Sequence, residues 1–182
     1  MDILEDLAHR LKLERETRNW SLAELAQRSG VSKAAINKIE NAQVSPTAVV
    51  LVKLAAAFGL TLAGLLVKAE GGDRLSRAAD QPVWRDPDSR YIRRQVFVRP
   101  NHPVEVVKVE LPAGQSVTLP ASSLAHIRQV VWVMTGSLTL TEGGRRYDLA
   151  DGDCLGFGPP AEVTFANATD LPCTYLVALA RS

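Results

Sequence analysis

The sequence predicts a multi-domain α + β protein with a five-helix domain at the amino terminus and an antiparallel β-barrel domain at the carboxy terminus. Three observations lead there. The chain of 182 residues is longer than one small core requires, since about 60 to 100 residues suffice for a domain. Up to Lys68 the apolar residues recur at helical spacing, and from Val96 onward they alternate or run in short β-branched blocks. Between these regimes lies a stretch with Gly71-Gly72, Pro82, Pro87 and many charges, the composition of a hinge. The expected division is a helical domain over 1–68, a linker and lead-in over 69–94, and a barrel over 95–182.

The first helix is expected from Ile3 to Arg18, with Leu4, Leu7, Ala8 and Leu11 on one face and Asp2 and Glu5 at its start. Ser21-x-x-Glu24 reads as a capping box that opens the second helix, with Trp20 and Leu25 as its hydrophobic staple. Gly30 ends that helix, because glycine accepts the left-handed conformation that reverses the chain. Ser32 caps a third helix reaching Glu40, Ser45-Pro46 opens a fourth that ends near Phe58-Gly59, and Thr61 caps a short fifth through Leu65 and Leu66.

Helices two and three, with the short turn between them, meet the demands of a helix-turn-helix unit. Ala26 is small enough for close approach, Gly30 permits the turn, and Leu25, Ile36 and Ile39 fill the crevice. The run Ser21-Leu22-Ala23-Glu24-Leu25-Ala26-Gln27-Arg28-Ser29-Gly30-Val31-Ser32, then Ile36-Asn37-Lys38-Ile39-Glu40-Asn41, Ser45-Pro46-Thr47 and Leu54-Ala55, resembles the xenobiotic-response-element (XRE) family of phage-repressor-like transcriptional regulators. The resemblance implies an ion pair between Arg15 and Glu40, and a third helix lying in the major groove of duplex DNA. Lys33, Ala34, Asn37 and Lys38 are then the residues expected at base edges: lysine donates to guanine, asparagine bridges adenine, and an alanine methyl touches thymine. Gln27, Ser32, Asn41 and Gln43 sit at helix ends, where phosphates are met.

In the second domain Val107, Val109 and Leu111 alternate with Lys108 and Glu110 until Pro112-Ala113-Gly114 breaks the strand. Val130 to Met134 reads as a buried strand. Gly136 turns the chain into Ser137 to Thr141, and Glu142-Gly143-Gly144 turns it again. Short strands at this spacing imply a sandwich or barrel. The segment from Trp132 through Gly136 to Leu140, followed by Tyr147-Asp148-Leu149-Ala150-Asp151-Gly152-Asp153, is similar to the double-stranded β-helix of the cupin superfamily. The likeness covers about Gln95 to Leu179.

Metal-using cupins supply histidines and a glutamate from the strand before that glycine and another histidine from a later strand. By that likeness the glutamate position, seven residues before Gly136, holds Gln129, and the later histidine position, four before Asn167, holds Val163. His126 stands off the spacing of the first pair, and Ser123 and Ala125 occupy its place. Too few donors remain for a transition-metal site, so no metal, no other cofactor and no catalytic residue are expected. Of the three histidines, His9 falls in the first helix and His102 in a loop. His126, Gln129 and Trp132 are the candidates for an effector pocket. Strand alternation leaves Val130 or Val131 as an inward alternative, and Trp132 equally suits core packing. Arg90, Arg93, Arg94 and Arg99, set among Tyr91, Ile92, Val96 and Phe97, suit either an anion-binding barrel mouth or an edge strand guarded by charge.

The hydrophobic content of 46% and charged content of 23% describe a globular chain with no membrane segment. The acidic start lacks the character of a secretory signal, which points to the cytoplasm. Cys154 and Cys173 read as reduced, buried thiols. The net charge of +1 hides a gradient, with nine Lys/Arg against seven Asp/Glu over 1–68 and five against eight over 100–182. The expectation is a DNA-binding transcriptional regulator, homodimeric on a double-stranded operator, whose cupin domain senses a small-molecule effector, supports dimerisation, or both. A cupin-type metal-dependent enzyme and an antitoxin-like interaction module are the alternatives.

Overall fold

The computed structural model describes residues 3–66, 75–99, 102–124 and 127–181. The middle of the expected linker, Asp2 of the expected first cap, and His126 lie outside the described residues.

Five helices form the first domain: α1 (Ile3–Thr17), α2 (Leu22–Ser29), α3 (Lys33–Glu40), α4 (Ala48–Ala57) and α5 (Leu62–Leu66). Their starts follow from side-chain caps that satisfy otherwise unpaired amides. Ser21 accepts from the Glu24 amide and Ser32 from the Ala35 amide. The fourth helix starts later than Ser45-Pro46, because Thr47 is its cap and accepts from the Val50 amide. Glu24 makes a salt bridge to Arg28 on the next turn, and Trp20 stacks on Phe58 at 5.7 Å, pinning the chain between α1 and α2 to the end of α4. Leu11, Leu25, Ile36, Leu51, Leu54 and Leu65 are fully buried at the centre of the helical domain. Truncating any of them to alanine costs about 2 to 5 kcal/mol.

The strands are β1 (Val83–Arg85), β2 (Ile92–Phe97), β3 (Val104–Leu111), β4 (Ser116–Leu119), β5 (Ile127–Thr135), β6 (Leu138–Glu142), β7 (Arg145–Leu149), β8 (Cys154–Gly156), β9 (Val163–Ala166) and β10 (Cys173–Arg181). All pair antiparallel, in a six-stranded sheet of order β1-β2-β3-β10-β5-β8 and a four-stranded sheet of order β4-β9-β6-β7. From β3 to β10 the chain passes repeatedly between the sheets, the winding of a double-stranded β-helix. The two hydrogen-bonded ladders face each other as a sandwich around Val107, Val131, Leu138, Leu140 and Val163.

Three features depart from the sequence reading. Strand β1 lies within the expected lead-in and forms the sheet edge, so β2, with its arginines, is an inner strand rather than a guarded edge. A three-residue strand is too short to leave a periodic signature. Strand β5 is buried on one side only: Val131 and Val133 point into the core, while Val130, Trp132 and Met134 are 40 to 45% exposed on the outer face. Cys173 is buried as expected, but Cys154 is exposed on the outer strand β8.

Gly136 has φ +90°, and a Cβ there would come within 3.0 Å of the Pro172 carbonyl oxygen. Glycine alone fits the turn where β5 leaves the sheet beside the start of β10.

The helical domain sits against the sheet domain. Asp86, in the turn after β1, accepts from the Ala48 amide at 2.7 Å and so satisfies the first turn of α4. Its other oxygen accepts from the amide and hydroxyl of Ser89. Thr61, which caps α5 through the Gly64 amide, donates its hydroxyl to Glu105 of β3. Trp84 and Tyr91 pack edge to face at 5.6 Å beneath this junction.

Candidate DNA interface and interior cavity

The candidate DNA-contact surface is built by burial on one side of α3. Ile36 and Ile39 are buried against α1 and α2, so Lys33, Ala34, Asn37 and Lys38 are left exposed on the opposite side. Gln27, Ser32, Asn41 and Gln43 are exposed around the ends of α2 and α3. Gly30, at φ 67°, donates its amide to the Ala26 carbonyl and turns the chain between the two helices. Asn41 donates from Nδ2 to the carbonyl and to the side-chain oxygen of Asn37, which ties those two amides together.

Arg15 holds the far end of α3. Its Nε and Nη2 donate to the two oxygens of Glu40, each at 2.8 Å, and Nη1 donates to the Trp20 carbonyl. Glu40 hydrogen bonding raises the Arg15 pKa above its ordinary value despite partial burial. Breaking such a partly buried, bidentate pair costs about 3 to 5 kcal/mol at the buried limit. The pair the sequence resemblance implied is therefore present, and it fixes α3 against α1.

Between the helical domain and the two sheets lies an interior cavity of about 80 Å³. Val52, Leu60, Thr61 and Leu62 contribute from the helical side, and Tyr91, Arg93, Gln129 and Tyr175 are polar groups on the sheet side. Arg93 faces inward in one cross-strand row with Trp84, Val109, Tyr175 and Val133. Burial is the main force lowering the Arg93 pKa, and burial raises those of Tyr91 and Tyr175. An open groove of about 790 Å³ adjoins the cavity and shares Leu124, Ile127, Gln129 and Leu179 with it.

Of the residues expected in an effector pocket, Gln129 lines this cavity. Trp132 does not: one residue along the strand from Val131 and Val133, it points outward, and its indole donates to the Gly152 carbonyl. Thr61 and Tyr175 were not among the sequence candidates, whereas Arg93 belonged to the arginine group for which an anion-binding barrel mouth was one of two readings. Alternation of Tyr91, just before β2, with Arg93 and Gln95 on it is the signal that places Arg93 inside. Among the described residues, two metal-ligand positions of the cupin fold lack the usual donor: Val163 is fully buried with no lone pair to offer, and Gln129 brings only a neutral amide.

A helix-turn-helix family profile, HTH_3, matches residues 11–65, the span from mid-α1 into α5. This chain carries an HTH_3 helix-turn-helix domain. Over 49 residues it is 47% identical to the HTH-type transcriptional regulator SutR of Escherichia coli (strain K12), a match covering 27% of this chain and 28% of that relative. It is 24% identical over 170 residues to the HTH-type transcriptional regulator PuuR of the same organism, covering 93% of this chain and 91% of PuuR. Among solved structures, an HTH_3 family transcriptional regulator from Vibrio cholerae superposes with a TM-score of 0.79 at 20% identity, over 98% of this chain and 96% of that one. A hydroxypropylphosphonic acid epoxidase from S. wedmorenis superposes with a TM-score of 0.51 at 17% identity, over 97% of each chain. The HTH_3 domain followed by a two-sheet domain is thus an arrangement seen in another regulator, and the same fold also occurs in an enzyme. Among the described residues, no helix is long and apolar enough to cross a membrane.

Proposed function

We propose that this protein is a sequence-specific DNA-binding transcriptional regulator whose HTH_3 domain docks on a double-stranded operator and whose cupin-like domain senses a small molecule and joins two copies. The observation that carries this reading is the exposed, unobstructed face of α3, held rigid by the Arg15–Glu40 pair within a matched helix-turn-helix domain. In this reading Lys33, Ala34, Asn37 and Lys38 meet base edges, and Gln27, Ser32, Asn41 and Gln43 meet phosphates and sugars. Ser32 accepts from the Ala35 amide and keeps its hydroxyl hydrogen for a phosphate.

Two copies suit a pseudo-palindromic operator with half-sites about 34 to 36 Å apart. The surface that suits dimerisation is the outer face of the six-stranded sheet, where Val106, Val130, Trp132, Cys154, Leu176 and Ala178 form an apolar groove. We read the cupin-like domain as a sensor without catalysis, because Val163 and Gln129 stand where a metal enzyme of that fold needs ligands. Its partner, operator DNA, sets its place of action in the cytoplasm.

The test is binding to DNA fragments that the protein retains from a genomic pool. Lys33→Ala and Lys38→Ala should each weaken operator binding by about 1 to 3 kcal/mol and relax preference at one position. Affinity should fall steeply with salt, because each phosphate contact releases counterions. Full affinity and unchanged preference in the double variant would remove the assignment of α3 as the recognition helix.

A further inference from the structure

From the cavity between the domains we infer that the effector is a short-chain organic carboxylate, bound by Arg93 and in contact with the DNA-binding domain. The inference rests on the sensing reading above and adds the ligand's chemistry and its place. Among the described residues, Arg93 is the only charged one lining the cavity. Its Nε is out of solvent with no hydrogen-bond partner, and among the described residues no ion pair or hydrogen bond engages the guanidinium. A half-buried cation whose Nε has lost water without gaining an acceptor is incompletely compensated, and a carboxylate is the partner that matches its planar fork.

Glu105 does not fill that role. It contributes to the field at Arg93, but both of its oxygens lie within 3.0 Å of the Thr61 hydroxyl. The desolvation that lowers the Arg93 pKa is the penalty that a bound anion relieves.

The rest of the cavity sets the ligand's body. Val52, Leu62, Val109, Phe165 and Val177 give the cavity apolar walls, which disfavours a polyanion such as phosphate and favours a carboxylate on a small alkyl or keto body. A volume of about 80 Å³ limits that body to a few heavy atoms. Tyr91, Tyr175 and Gln129 offer hydrogen bonds to orient it, and the adjoining groove provides a way in past Gln129.

Position gives the ligand its influence. Val52 belongs to α4, and Leu60, Thr61 and Leu62 to the turn and start of α5. An occupant therefore touches the helical domain directly, which is the differential contact that a ligand needs to shift a conformational equilibrium.

The experiment is thermal unfolding of the full chain with propionate, pyruvate or butyrate, against propionamide and propylamine as neutral and cationic controls, followed by operator binding with each. At least one carboxylate at about four times its Kd should raise the melting temperature by about 2 to 4 °C. The controls should not. Arg93→Met should abolish the shift while raising the melting temperature of the unliganded protein. Val117→Phe, which keeps the charge and fills the cavity from β4, should abolish it as well and covers the case in which Arg93→Met fails to fold. No shift with any carboxylate, or an equal shift in Arg93→Met, overturns the inference. Carboxylate binding that leaves operator affinity unchanged upholds the anion site and removes the sensing reading. A neutral or cationic compound that alters operator affinity does the reverse.

Discussion

The Thr61 hydroxyl donates to the Glu105 carboxylate across 44 residues of sequence, and it joins the cap of the last helix in the DNA-binding domain to the start of strand β3 in the sheet domain. Glu105 is fully buried, so this is a charge-assisted bond shielded from water. Thr61→Val removes both that donor and the helix cap. The expected loss is about 2 to 4 kcal/mol by chemical denaturation, with the single unfolding transition splitting as the domains come apart. Thr61→Ser, which keeps the hydroxyl, should retain most of the stability.

Gly136→Ala should destabilise the sheet domain by about 2 to 4 kcal/mol, because a side chain at positive φ is strained and its Cβ runs into the Pro172 carbonyl. Gly144→Ala has the same backbone strain with nothing near its Cβ, so its cost should be smaller. Comparing the two melting temperatures separates steric overlap from strain.

Trp132→Asp should convert a dimer to a monomer without loss of fold, since Trp132 is 45% exposed in the outer groove and contributes nothing to the interior. Sedimentation or light scattering at micromolar concentration reads the change, and far-ultraviolet circular dichroism should stay as in the parent. A parent protein that is already monomeric on and off DNA removes the dimer from the reading.

The two thiols should react very differently. Burial, helped by Asp151, pushes the Cys173 pKa up to about 11, so at pH 8 it remains protonated as well as covered. Cys154 is exposed. Iodoacetamide at pH 8 should label Cys154 in the monomeric Trp132→Asp variant and leave Cys173 untouched until the chain is unfolded. In the dimer, Cys154 should be protected, because it lines the same groove.

The helical domain was the more legible half in the sequence. Its caps are local: Ser21, Ser32 and Thr61 each bond an amide three residues ahead, so sequence spacing carries their geometry. Helix-turn-helix packing likewise leaves its mark in small and apolar residues at fixed intervals, and even the Arg15–Glu40 pair followed from resemblance. The sheet domain hid more. Whether Trp132 or Val131 faces inward depends on register, which partner strands decide and periodicity in a strand apolar on both faces does not. Strand β1 pairs with the neighbouring β2 but is too brief for periodicity to show, the place of Arg93 is set by its pairing with Trp84 and Val109, and the cavity draws on both domains at once.

Asp86 sets a rule for recombining such proteins. One of its oxygens shapes its own turn through Ser89, and the other completes α4 of the DNA-binding domain at Ala48. A chimera that grafts a foreign sensor onto this HTH_3 domain strips the Ala48 amide of its acceptor unless the graft brings an equivalent carboxylate at the matching height. The two halves are therefore matched parts rather than interchangeable modules. Swaps that carry residues 83–97 along with the helices should be the ones that keep both a working DNA-binding half and its connection to the sensor.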